Sequence, residues 1–166
     1  MSQIDSNSQL LKEFIKQFPV TKHEKGEVLF KPGYKVTDVY YLEDGLIRQY
    51  IVRRTGQEMT IHIFKPGAMV LLMSWLVEEN PDKLWLQSLN EVQIRKIPVK
   101  ELSAWMDDHP GIWKLIAKNF AEGILGLTKR VEVSLSRNAY EQVVSLLVYL
   151  VGRMGGARRA TIRNRL

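Results

Sequence analysis

KGEVLFKPGYKVTDVYYLEDGLIRQYIVRRTGQEMTIHIFKPGAM, residues 25–69, decides the fold class of this chain. Short runs rich in β-branched and aromatic residues alternate here with glycine turns, at a spacing of about ten residues. The turns are Lys31-Pro32-Gly33, Glu43-Asp44-Gly45, Arg54-Thr55-Gly56 and Lys65-Pro66-Gly67. This spacing predicts an antiparallel sandwich or barrel.

The strand pattern runs on to about residue 98, because LWLQSL and VQIRKIP follow the quoted stretch. Within EMTIHIF, polar and apolar residues alternate. Successive side chains of a strand point to opposite faces. We therefore expect Met59, Ile61 and Ile63 on the inner face of the sheet, and His62 on the outer face.

Helical periodicity flanks the strands. Ser8 is expected to cap a short N-terminal helix that ends at Pro19. The apolar side of that helix would consist of Leu10, Leu11, Phe14 and Phe18. After the strands, Pro98 suits the start of another helix. Its apolar side would consist of Leu102, Trp105 and Met106.

A long helix is predicted from Pro110 to about Leu135. Its apolar residues recur at alternating spacings of four and three, which forms a seam of about three heptads. The seam consists of Trp113, Ala117, Phe120, Ile124, Leu127, Val131 and Ser134. Packing on the protein's own sheet and pairing with a second copy are both open. The helix length, and close backbone approach at Gly123 and Gly126, favour a parallel homodimer.

A last helix is predicted with Asn138 as its N-cap and Glu141 three residues on. It would end at Gly155-Gly156, and its buried side would consist of Val143, Leu146, Leu147 and Leu150. The predicted organisation therefore has three parts. They are an N-terminal helix plus antiparallel β-domain (1–109), a long helix that favours dimerisation (110–136) and a final segment (137–166).

Composition restricts the class of protein. The 166 residues are 45% hydrophobic and 25% charged, which is typical of a soluble globular protein. The N-terminus does not resemble an export signal and no membrane span is predicted, so we expect a cytoplasmic protein. The absence of cysteine excludes disulfides and thiolate chemistry. The net charge of +6 is concentrated in the arginines of residues 153–165, which suits either phosphate contacts or a solvated end.

The order of these elements resembles the Crp/Fnr superfamily of bacterial transcription regulators. The matching residues are the quoted stretch and NAYEQVVSLLVYLV, residues 138–151, and the resemblance covers residues 8 to about 155. It implies a mainly β, antiparallel jelly roll of the cyclic-nucleotide-binding type with flanking helices. The jelly roll with its N-terminal helix would occupy residues 1–109, and a long dimerisation helix would occupy residues 110–136. A short final helix would follow, at the start of a truncated DNA-binding domain (137–166). The alternative is an unrelated jelly roll such as a cupin.

In cyclic-AMP-binding members of that family, a Gly-Glu pair and an Arg-Ser or Arg-Thr pair hold the ligand. The resemblance puts Leu71-Leu72 at the first pair and Asp82-Lys83 at the second, where a shift of one residue would give Lys83 the arginine's place. A cyclic phosphate needs a fork of donors, and a ribose hydroxyl needs a carboxylate. We therefore expect very poor affinity for cyclic AMP.

The same departure predicts a pocket suited to a hydrophobic or aromatic effector. The alternative is that these side chains fill the core and bind nothing. The candidate pocket residues are Met69, Leu71, Leu72, Met73, Trp75, Lys83, Trp85 and Leu127.

No metal or other cofactor is predicted. His23, His62 and His109 lie far apart without a His-x-His pair, and a second haem ligand is not identifiable. No catalytic motif stands out, so we predict a protein that is not an enzyme.

The resemblance predicts the effector-sensing and dimerisation part of a regulator; the alternative is a stand-alone small-molecule-binding or dimerisation module. The chain reaches TIRNRL where the recognition helix would begin. DNA-binding residues are therefore unknown, and specific DNA binding by this chain is expected to be weak or absent.

Overall fold

The computed structural model describes residues 3–78, 81, 83–135 and 147. The chain divides into two compact units, residues 1–115 and residues 116–166. The strands are β1 (Val20–His23), β2 (Val28–Phe30), β3 (Asp38–Asp44), β4 (Ile47–Val52), β5 (Glu58–Phe64), β6 (Met69–Val70), β7 (Trp85–Ser88) and β8 (Val92–Pro98). The helices are α1 (Gln3–Ile15), α2 (Leu72–Leu76), α3 (Val99–Asp107) and α4 (Gly111–Leu135).

The strands of the first unit form two four-stranded antiparallel sheets. The first sheet has the order β1-β8-β3-β6 and the second has the order β2-β7-β4-β5. The inner faces of the two sheets supply one apolar core, which the predicted antiparallel sandwich requires. Its members include Tyr40, Leu42, Val70, Val92 and Ile94 from the first sheet and Phe30, Ile47 and Leu86 from the second.

A second apolar layer lies between α1, α3 and the beginning of α4. The ring of Phe14 stacks on Trp105 with centroids 4.3 Å apart, and Trp105 stacks on His109 at 4.5 Å. The side chain of Asn7 donates a hydrogen bond of 2.9 Å to the carbonyl oxygen of Gly111. Leu102 of α3 is completely buried, as its predicted place on the apolar side requires.

The prediction for the N-terminal helix is wrong in its start, in its end and in one apolar residue. The helix ends at Ile15, so Phe18 lies beyond it. The helix begins at Gln3, so Ser8 lies inside it and is not the cap. Leu10 is 36% exposed, whereas Ile15 is buried. Since Ile15 lies on the same helical face as Leu11, these two residues and Phe14 form the inner stripe. The sequence pattern does not reveal the short strand β1, because only one of its four residues, Val20, is apolar.

The predicted alternation in β5 is also wrong. The pairing of β5 with β4 passes from Gln49↔His62 to Tyr50↔Thr60, which is a bulge, so alternation does not continue through the strand. Met59 is 40% exposed and Ile63 lies opposite Arg48. Phe64, which packs against the core, takes the inner face, and His62 shares that face with it.

Helix α4 has the predicted extent to within one residue. The predicted last helix lies outside the described residues except at Leu147. That residue is helical but 55% exposed, so its predicted burial is wrong. Among the described residues, no helix is long and apolar enough to cross a membrane.

Candidate effector site

Residues 69–72 lie where the resemblance puts the first ligand-binding pair, and they are largely buried. Strand β6 ends at Val70, which is 1% exposed, and α2 begins at Leu72, which is 4% exposed. Leu71 joins them with a φ of 69° and is 7% exposed. A residue with a side chain is destabilised in this left-handed region of the backbone, whereas glycine is hardly affected. The backbone at Leu71 therefore has the form that suits the glycine of a Gly-Glu pair.

The predicted pocket residues do not all lie on one surface. Leu71 belongs to the core cluster and Trp75 packs against it, whereas Met73 is 56% exposed and Lys83 is also exposed. Met69, half-buried, pairs with Tyr41. The buried members of this set thus occupy core positions, which is the arrangement expected if these side chains fill the core and bind nothing.

Trp85 lies on the outer face of the second sheet. Its neighbour Leu86 is completely buried on the inner face, and alternation places the indole on the opposite side. The indole stacks on Tyr50, its partner across the strands, with ring centroids 6.0 Å apart. Leu127 belongs to the second unit and is 54% exposed.

Polar and aromatic side chains around Trp85 contact one another on the outer face. The guanidinium of Arg48 lies 4.2 Å from the centroid of the Tyr50 ring. It donates hydrogen bonds of 2.8 Å to Gln87 and 2.5 Å to Glu58. Burial raises the pKa of Tyr50, and Glu58 adds to this shift whereas Arg48 opposes it. This cluster ties three strands together and leaves Arg48 engaged within the sheet.

His62 and Gln49 are polar residues of the inner face that the sequence pattern did not reveal. They lie directly opposite each other in β5 and β4, and Gln49 also lies opposite Leu86, which is completely buried. Side chains of directly opposed residues share a face. The rings of His62 and Phe64 are 4.6 Å apart. Alternation counted from an inward-facing Phe64 would have placed His62 on the inner face. Alternation counted from Met59 and Ile63 instead places His62 on the outer face.

The part of the chain that the structure describes holds no group of three His, Cys, Asp or Glu side chains suited to a metal ion. Asp82, which the resemblance puts at the second ligand pair, lies outside the described residues.

Comparison with known proteins places this arrangement among regulators. The cyclic nucleotide-binding domain family matches residues 20–109. The global nitrogen regulator of Synechococcus elongatus is 21% identical over 137 residues, which are 82% of this chain and 62% of the relative. The anaerobic regulatory protein of Aggregatibacter actinomycetemcomitans is 24% identical over 130 residues, or 78% of this chain and 50% of the relative. The chain thus spans about half to three fifths of these relatives.

Among solved structures, the c-di-GMP-responsive global regulator CLP of Xanthomonas campestris has a TM-score of 0.76 and 16% identity. The match covers 92% of this chain and 76% of that one. At this identity the likeness concerns the fold, and it confirms the predicted antiparallel β fold with flanking helices. The relatives are regulators, which confirms the prediction of a protein that is not an enzyme.

Proposed function

Because this chain belongs to the cyclic nucleotide-binding domain family, among the Crp/Fnr regulators, we propose that it is the effector-sensing and dimerisation part of a DNA-binding transcription regulator that does not bind cyclic AMP. The observation that carries the ligand part of this proposal is the buried pair Leu71-Leu72. A cytoplasmic location belongs to the same proposal.

Leu71 and Leu72 oppose cyclic-nucleotide binding in two ways. A leucine in the place of the carboxylate leaves a sugar hydroxyl without its partner, at a cost of about 1 to 3 kcal/mol. The side chain of Leu71 also occupies core volume that a glycine would leave open. A loss of about 3 kcal/mol alone weakens binding by roughly a hundredfold or more.

Titration calorimetry with cyclic AMP, up to about 1 mM nucleotide, tests this part of the proposal. We expect no saturable heat, and we expect the same result with inorganic phosphate as the control. A dissociation constant in the micromolar range would refute the proposal for the ligand, because Leu71 and Leu72 would then have to be compatible with the cradle.

The inner face of the second sheet is where we propose that an effector binds. His62 and Gln49 are half-buried polar residues on that face, and Phe64 is a half-buried apolar neighbour of His62. Ligand sites commonly combine an apolar wall with a few polar groups of this kind. An effector bound there would act by shifting the population of conformations that present the DNA-reading helices.

Dimerisation through α4 is supported by the exposure of its seam. Ile124 is 60% exposed, Leu127 54% and Val131 48% in the single chain. Trp113 is 42% exposed, Ala117 is exposed and Phe120 is partly buried. A second copy of the helix would bury these side chains, at about 1.5 to 3 kcal/mol for each fully buried Ile or Leu. This contribution would stabilise a dimer without any ligand.

Replacement of Ile124 and Leu127 by Asp tests the interface. The two carboxylates would be buried without partners in the seam, so we expect a monomer by light scattering. Leu125→Asp is the matched control, since Leu125 is 64% exposed and lies about 100° around the helix from Ile124. An unchanged mass for the double variant, or a monomer for Leu125→Asp, would show that the seam is misplaced.

Sequence-specific DNA binding is expected neither of the effector-sensing part of a regulator nor of a stand-alone module. A gel shift of the chain with its own promoter region, at physiological salt, is expected to show weak or no specific binding. Nanomolar specific binding would contradict this expectation and would show that the chain itself contains a DNA-reading element.

A further inference from the structure

A cavity of about 310 Å³ lies at one end of the jelly roll, between β2, the loop after it, the start of β3 and Leu71. It is lined by Val28, Leu29, Phe30, Lys31, Tyr34, Lys35, Thr37, Asp38, Tyr40 and Leu71. Of these residues, only Leu71 belongs to the effector pocket that the sequence predicts. The cavity is therefore distinct from the predicted effector pocket.

The floor of the cavity is apolar and well packed. Phe30, Tyr40 and Leu71 are each 7% to 8% exposed, and all three belong to the core cluster. The Tyr40 hydroxyl donates a long hydrogen bond of 3.5 Å to the carbonyl oxygen of Leu29. Burial raises the pKa of Tyr40, with a smaller contribution from Asp38, so the phenol stays neutral. An apolar ring or chain would lie well against this floor.

The rim of the cavity is exposed and carries a positive charge. Lys31, Tyr34 and Lys35 are exposed, with Tyr34 at 64%. Asp38 is the opposing carboxylate, and it accepts a hydrogen bond of 2.7 Å from the Thr37 hydroxyl. Two lysines against one aspartate leave a net charge of +1 among the lining residues. The rim therefore favours an anion over a cation.

We propose that this cavity is a binding site for a small organic anion, with an apolar body on the Phe30 and Leu71 floor and its carboxylate at the Lys31 and Lys35 rim. The volume is at the lower end of the range for ligand pockets, about 300 to 1,000 Å³, so the body is about one ring in size. Because Leu71 directly precedes α2, a ligand on this floor also contacts the residue that sets the start of that helix.

This site goes beyond the proposed regulatory function and depends on neither the dimer nor DNA. Its failure and the failure of that function are distinguishable, because a dimer is measured by mass and this site by its own residues. The probes are benzoate, benzylamine and inorganic phosphate. They separate an anion with an apolar body from a cation of the same size and from an anion without the body.

The measurement is a titration followed by backbone amide resonances in the nitrogen-15-labelled full chain. Benzoate is expected to move the amides of Lys31, Lys35 and Leu71 saturably, and benzylamine and phosphate are expected to leave them in place. Shifts that do not saturate, that centre elsewhere, or that benzylamine reproduces would overturn the proposal.

Substitutions at the rim test the charges. The double variant Lys31→Gln and Lys35→Gln is expected to weaken benzoate binding about three- to tenfold, whereas Asp38→Asn strengthens it about twofold. Lys22→Gln is the matched control. Lys22 pairs with Gln93 and Asp38 pairs with Pro98, so the two positions are about 17 Å apart along β8. Equal affinity in the double variant and the control would overturn the assignment.

Discussion

Gly45 is the turn residue whose replacement should disturb the jelly roll most. It lies between β3 and β4 with a φ of 87°. A Cβ atom added there would lie 2.7 Å from Cγ1 of Val92 and 2.9 Å from its Cα, and still closer to the carbonyl oxygen of Glu91. Gly56, between β4 and β5, has a φ of 83° and would meet nothing within 4 Å. The two positions therefore share a backbone conformation and differ in the space available.

The expected magnitudes follow from this difference. Alanine in the left-handed region costs about 1 to 2 kcal/mol, and the restricted unfolded chain returns about 0.4 to 1 kcal/mol. Gly56→Ala should therefore lower the free energy of unfolding by about 0 to 1.6 kcal/mol. Gly45→Ala adds the displacement of packed backbone, which costs about 1 to 3 kcal/mol more.

The backbone around Gly45 cannot move aside easily. The amide of Leu46 donates a hydrogen bond of 2.7 Å to the Asn90 side chain, and the amide of Leu89 donates one of 2.8 Å to the Leu46 carbonyl. These bonds hold the turn after β3 against the turn after β7. Val92 is completely buried, so it has no free space into which to retreat.

Urea unfolding followed by tryptophan fluorescence compares the two alanine variants with the parent chain. A difference of at least about 1 kcal/mol between the variants, with Gly45→Ala the less stable, is expected. Equal stabilities would refute the steric argument, because the conformational cost is common to both positions.

Two further substitutions probe backbone strain and charge. Leu71→Gly should be more stable than Leu71→Ala by about 1 kcal/mol. Both variants lose the buried side chain, and only alanine is destabilised by the left-handed backbone, so alanine loses its usual advantage over glycine. Urea unfolding of the two variants measures the difference. The hydrogen bond with His23 lowers the pKa of Glu27, with burial opposing. A lowered carboxyl pKa stabilises the fold above the ordinary value of 4.5, and this contribution is lost as the pH falls through the lowered value. The parent chain should therefore lose stability more steeply than Glu27→Gln in that acid range, by a small amount because Glu27 is 46% exposed; parallel slopes in pH-dependent urea unfolding would contradict this.

The turns were the most predictable part of the fold. Gly33, Gly45, Gly56 and Gly67 all have positive φ, as the turn signals require, and strands lie between them. A turn depends on a few consecutive residues, so its signal is local. The extent of α4 was predictable for a similar reason, since 25 residues of helical pattern leave little ambiguity.

The face of each side chain was less predictable. His62 was assigned to the wrong face because the bulge opposite Gln49 and Tyr50 depends on the neighbouring strand. Trp85 was grouped with Leu71 and Leu72 by proximity in the sequence, but pairing with Tyr50 puts its ring on the outer face. A face is set by pairing between distant strands, which a single sequence does not display.

By itself, the sequence determined the glycine turns, the strands between them and the extent of the long helix. These features depend on residue type and spacing along the chain. Only the tertiary structure decided that Leu71 keeps a glycine-like backbone while its side chain joins the core, and that a basic-rimmed cavity opens beside it. The physical reason is that burial, register and cavities arise where segments distant in sequence pack together.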